Sequence, residues 1–149
     1  MKLLIETVIL LTVILLPLKG TDVGKLIPVE VLMIEENGVT VTVRTDTGDQ
    51  GEGSDLEAAL RNLEETAPGI IYLDTAEYVL LEQGTQINVK QVQLFLKERV
   101  RICRAEEGIP LDGIADFLSV HEPGVKLGEW KNSSEIPVLR EENGRFEIK

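Results

Sequence analysis

The sequence predicts an α/β (α+β) domain, a single mixed sheet with helices packed on it, preceded by a hydrophobic N-terminal helix. Three observations carry this reading. Short apolar runs rich in Val, Ile and Leu alternate with amphipathic stretches of helical spacing from Val29 to Leu118, the pattern of a sheet with helices over it. An Asn37-Gly38 pair separates two strand-like runs, a strong local hairpin signal. Between Leu3 and Leu18 only Glu6 is charged, which sets that stretch apart from every later one.

The N-terminal segment comes first. Its uninterrupted apolar stretch from Thr7 to Leu18 has the length of a signal-peptide core, whereas a full membrane-crossing helix needs about 20 residues. Residues 1–19 are therefore a signal or membrane-anchor segment, and a helix or strand buried in the soluble fold is the remaining alternative. Two features favour an uncleaved anchor over a cleaved signal. Lys2 is offset by Glu6, and no small-x-small site stands near Leu18-Lys19-Gly20. In either membrane case the rest of the chain faces away from the cytoplasm.

Residues 20–149 are the length of one domain with one core. Val29 to Ile34 is an apolar run after Pro28, which belongs at a strand start or sheet edge because it has no amide hydrogen. Val39 to Val43 alternates with period two, as a half-buried strand does. Asp46 to Gly53 reads as a flexible loop, closed by a capping box at Ser54-Asp55-Leu56-Glu57 that opens a helix. Leu56, Ala59, Leu60, Leu63 and Ala67 fall on one helical stripe, and Pro68-Gly69 ends it. Ile70–Leu73 and Tyr78–Leu81 read as buried strands. Asn88 is placed to cap a helix whose apolar face is Val92, Phe95, Leu96 and Val100. Ile102–Ala105 fits a further strand, and a short helix carries Ile114, Ala115, Phe117 and Leu118 before Pro123-Gly124. Glu142-Asn143-Gly144, between Val138-Leu139 and Phe146-Glu147-Ile148, predicts a final hairpin.

Composition narrows the function classes. Aromatics are 4% of a chain that is 43% apolar, so the core rests on aliphatic side chains. The formal net charge is −11, and setting aside Lys2, Lys19 and Glu6 leaves 13 basic against 25 acidic side chains. Such a surface repels phosphate backbones and argues against nucleic-acid binding. Cys103 is the only cysteine, which rules out an intramolecular disulfide and a multi-cysteine metal site. Two readings of it stand: a thiolate favoured by Arg101 and Arg104, or a small apolar residue facing inward from a strand.

Catalytic constellations are not found. His121 is the only histidine, with Asp112, Asp116 and Glu122 nearby. Its position fits a helix C-terminus facing water, where an imidazolium gains from the helix dipole. Asp112 and Asp116 share a helix face opposite the apolar one. Ser54 is read as an N-cap and not as a nucleophile. Gly48-x-x-Gly51-x-Gly53 superficially matches a phosphate cradle but lacks the lysine of a P-loop, and Asp49, Glu52 and Asp55 would repel phosphate. Tyr72 and Trp130 could line a pocket, but two scattered aromatics specify nothing. No catalytic residue, cofactor or metal is expected, and the chain is not read as an enzyme.

Val39-Thr40-Val41-Thr42-Val43-Arg44, then Gly53-Ser54-Asp55-Leu56-Glu57-Ala58-Ala59-Leu60-Arg61-Asn62-Leu63, and finally Ala67-Pro68-Gly69-Ile70-Ile71-Tyr72-Leu73 together resemble the N-terminal domain of the Ger(x)C-type spore-germination proteins, the C subunits of germinant receptors. The resemblance covers roughly residues 26–105. Where that family carries a lipid-modified cysteine, Lys19-Gly20-Thr21-Asp22 stands here, so the hydrophobic segment would replace the lipid. The resemblance implies a non-catalytic, membrane-associated subunit on the extracytoplasmic face of the cell membrane, acting by protein–protein interaction with other membrane receptor subunits. The alternative is an extracytoplasmic small-molecule-binding module.

Overall fold

A computed structural model describes residues 23–149; the hydrophobic segment expected over residues 1–19 lies outside the described residues. The strands are β1 (Leu26–Pro28), β2 (Val31–Asn37), β3 (Thr40–Thr45), β4 (Gln50–Gly53), β5 (Ile70–Tyr72), β6 (Tyr78–Glu82), β7 (Arg101–Ala105), β8 (Val125–Lys126), β9 (Val138–Glu142) and β10 (Arg145–Ile148). The α-helices are α1 (Leu56–Thr66), α2 (Val89–Val92) and α3 (Ile114–His121). The main sheet runs β10-β9-β7-β6-β2-β3-β4, with β8 also pairing β7. It is mixed: β2, β6, β7 and β9 are parallel neighbours, and the hairpin partners β3, β4 and β10 are antiparallel. β1 and β5 form a separate two-stranded parallel ribbon.

The centre of the sheet is β6, whose five residues are all buried. Parallel strands covered on both faces need a nearly continuous apolar run, and Tyr78-Val79-Leu80-Leu81 supplies it. Because side chains alternate across a strand, Leu32, Ile34, Val79, Leu81 and Ile102 point to one face, under Leu56, Ala59, Leu60 and Leu63 of α1. Val31, Met33, Leu80 and Cys103 point to the other, under Ile114 and Leu118 of α3. The buried Tyr78 hydroxyl finds its partner by donating to the Leu118 carbonyl at 2.9 Å, which fixes α3 against the sheet.

Helix α1 closes on the sheet edge because β4 has no side chains in its way. A Cβ at Gly51 would run into the backbone of Ala59 and Leu63, and one at Gly53 into that of Ala58 and Ala59. The stretch expected to be a loop is thus partly a strand, with glycines at alternate positions where another backbone approaches closely. Asn62 accepts from the Glu52 amide at 3.0 Å, satisfying an edge donor.

Several boundaries differ from the sequence expectation. The first hairpin turns at Gly38-Val39, with Asn37 paired to Thr40; Gly38 alone has positive φ there, so glycine serves at the first turn position. The cap of α1 is Asp55, whose carboxylate accepts from the Ala58 amide at 2.8 Å, one residue beyond Ser54. Strand β5 buries only Ile71, since its pairing is with β1 and not within the main sheet. Asn88 does cap a helix, through a capping box with Gln91, but α2 is a single turn and Phe95 lies beyond it, partly exposed. The final hairpin forms as expected, with Asn143 and Gly144 both at positive φ.

Leu60→Asp places an unpaired charge under α1 and is expected to unfold the domain at ordinary temperature, since that costs several kcal/mol against a total of about 5–15 kcal/mol. Gly51→Ala should also lower the melting temperature markedly, and Glu64→Ala, on the exposed face, should leave it unchanged. Equal melting temperatures for Leu60→Asp and Glu64→Ala would contradict the packing of α1.

Candidate functional site

The groups singled out as candidate chemistry do not converge. His121 is the last residue of α3, exposed, with its ring 4.3 Å from that of Phe117, at the helix end the sequence indicates. Asp112 and Asp116 are exposed. Cys103 lies in β7, 1% exposed. Burial pushes its thiol up to about 12 despite the Arg101 charge, so the neutral, apolar reading holds and the thiolate reading does not. Among the described residues no group of three or more His, Cys, Asp or Glu side chains is arranged to hold a metal ion, and no helix is long and apolar enough to cross a membrane. Trp130 packs against the α1 face of the core.

Sequence reasoning missed one polar cluster. Glu82, at the end of the central strand, is 8% exposed. Burial, with the nearby charges of Glu35 and Glu107, raises its carboxyl above the ordinary value, while a backbone hydrogen bond at Glu36 and the Arg44 guanidinium oppose the shift. Arg44 itself is spoken for. It pairs with Glu35, with Nε 3.1 Å from Oε1, and reaches the Ile109 carbonyl at 3.5 Å. The run Leu80-Leu81-Glu82 was the available signal: a carboxylate ending an apolar central strand is half drawn into the core.

The more open chemistry lies at the opposite end of the parallel strands. Backbone bonds lace their starts together, from the Glu77 amide to Glu30 and from the Arg101 amide to Glu77. Against these starts lies a groove of about 400 Å³, lined by Pro28, Tyr72, Asp74, Glu77, Lys97 and Arg99 among others. Glu77 and Arg99 are shared with a smaller recess that also takes in Tyr78, Arg101 and Glu122. Its cations are engaged internally: Lys97 Nζ is 3.0 Å from Asp74 Oδ2, Arg99 donates to the Asp74 carbonyl, and Arg101 donates to the Gly124 carbonyl at 3.1 Å.

No family model, curated protein or solved structure matches the chain.

The two buried acids both test the core. The Cys103 thiol has a folded value above its ordinary 9.0, so the stability it contributes is complete below pH 9 and is lost as pH rises towards 12. The folded protein should resist an aromatic disulfide reagent at pH 8 and react on unfolding; rapid labelling of folded protein would contradict the burial. The Glu82 carboxyl is likewise raised from 4.5, so its ionisation disfavours the folded state as pH climbs above that value. Glu82→Gln should therefore melt higher than the parent at pH 7, with the gain fading below about pH 4; a variant less stable at pH 7 would show instead that the carboxylate is needed.

Proposed function

We propose that the chain is a non-catalytic, membrane-associated subunit of a germinant-receptor-like complex, acting by protein–protein contact on the extracytoplasmic face of the cell membrane. The observation that carries this reading is the packing of the residues that resemble the Ger(x)C N-terminal domain. Residues 39–44, 53–63 and 67–73 form β3, the end of β4, α1 and β5, a consecutive unit in which α1 seals the sheet edge. The separation of His121, Cys103 and the carboxylates supports a role without acid/base chemistry. Residues 1–19 serve as the attachment. Other membrane receptor subunits are the partners, and the acidic surface disfavours nucleic acid.

A second reading, an extracytoplasmic small-molecule-binding module, draws on the groove beside Tyr72, whose volume falls in the range of ligand pockets. Its charged lining and internal ion pairs favour the first reading.

The test is fractionation followed by affinity capture. Full-length protein should partition with membranes and, after mild detergent extraction, bring down a polytopic membrane subunit encoded beside it. A variant lacking residues 1–19 should appear in the soluble fraction. Full-length protein found soluble in the cytosol, or a deletion strain that germinates normally, would sink the reading.

A further inference from the structure

One face of the β1–β5 ribbon is left partly exposed among the described residues. Its register pairs Leu26 with Ile70, Ile27 with Ile71 and Pro28 with Tyr72. Ile27 and Ile71 pack inward on the α1 side of the core. By the alternation of strand side chains, Leu26, Pro28, Ile70 and Tyr72 share the outer face. All four are apolar or aromatic, Ile70 and Tyr72 are 46% and 41% exposed, and Pro28 and Tyr72 border the groove that carries Glu30, Asp74, Glu77, Lys97 and Arg99. Contiguous exposed apolar faces mark contact surfaces.

The ribbon is also held stiffly. Thr75 Oγ1 accepts from the Val29 amide at 3.0 Å and lies 2.8 Å from the Tyr72 carbonyl, tying the end of each strand to the other. A Cβ at Gly69 would strike the Lys25 carbonyl, so the strand starts are equally close. The patch is thus a preformed surface.

What covers it is indicated by the chain that leads into it. Residues 20–25 join the hydrophobic segment to β1, and six residues at about 3.5 Å each reach roughly 21 Å even when fully extended. The ribbon is consequently the first described surface beyond that segment. We propose that the outer face of the ribbon docks on the lipid bilayer into which residues 1–19 lead, with Ile70 and Tyr72 in the interfacial zone and the exposed Lys25 at its rim. Tyrosine is enriched at that depth because its ring is apolar and its hydroxyl wet, and a lysine at the rim meets lipid phosphates favourably. This inference rests on the membrane attachment proposed above and adds the surface that faces the bilayer.

The test uses the full-length protein in vesicles of phosphatidylcholine and phosphatidylglycerol. An environment-sensitive fluorophore is attached at Ile70→Cys, and at Val39→Cys on the far hairpin as control; the buried Cys103 stays unlabelled. Tyr72→Cys replaces Ile70→Cys if the latter melts early. Flotation reports attachment, and quenching by spin-labelled lipids reports depth. The expected result is protein that floats with vesicles, with several-fold stronger quenching at position 70 or 72 than at 39. Floating protein with equal quenching at both sites overturns the docking and leaves the attachment standing, as would occur if a second copy or residues 1–19 covered the ribbon. Protein that does not float overturns both.

Discussion

The burial of β6 on both faces is the constraint from which the rest of the domain follows. A strand with no solvent face needs a neighbour on each side and a layer of apolar side chains above and below, the setting in which parallel strands are found. β2 and β7 flank it, α1 covers one face, and α3 covers the other. Closing α1 onto its face is possible only because Gly51 and Gly53 present no Cβ to its backbone. Seating α3 uses the one polar atom that β6 buries near its start, the Tyr78 hydroxyl. Few aromatics are needed, since aliphatic residues at alternate positions fill both layers.

The same constraint sends polar chemistry to the strand ends. Where β6 finishes, Glu82 is drawn into the core beside the like charges of Glu35 and Glu107, which Arg44 offsets only in part, an arrangement that costs stability at neutral pH. Where the parallel strands start, Lys97, Arg99 and Arg101 meet Asp74 and backbone carbonyls. The β1–β5 ribbon lies beside those starts because β1 runs directly into β2, and β5 leads through Leu73–Thr75 into β6. One end of the sheet therefore combines balanced charge, a groove and an apolar face, with the chain arriving there from its hydrophobic segment.

Much of this was legible in the sequence wherever a local rule and the tertiary environment agree. The apolar stripe of α1, the final hairpin at Asn143-Gly144 and the exposed His121 each follow from spacing, and the inward Cys103 was one of two readings the sequence left open. Failures occurred where a distant partner decides. Gly51 and Gly53 look like a flexible loop until α1 is known to press on them. Ile70 and Tyr72 look like core until β5 is seen to pair with β1 outside the main sheet. Asn37-Gly38 signals the hairpin correctly, but the register of β2 against β3, set by burying Ile34 and Val43 together, moves the turn one residue on. Phe95 has the spacing of a longer helix, yet the chain leaves that helix after Val92. Nothing in the sequence marks Glu82 as buried except its place after Leu80-Leu81.

Hydrogen exchange of the full-length protein, with and without phosphatidylcholine–phosphatidylglycerol vesicles, tests the central claim most directly, that a two-faced central strand supports a membrane-facing surface at its starting end. The account predicts that the amides of β6 exchange slowest in both conditions. Vesicles should add protection over residues 26–28 and 70–72, and none over Gln83–Asn88 or the Gly38-Val39 turn. Fast exchange in β6, or protection by vesicles confined to residues 83–88 and 38–39, would contradict it.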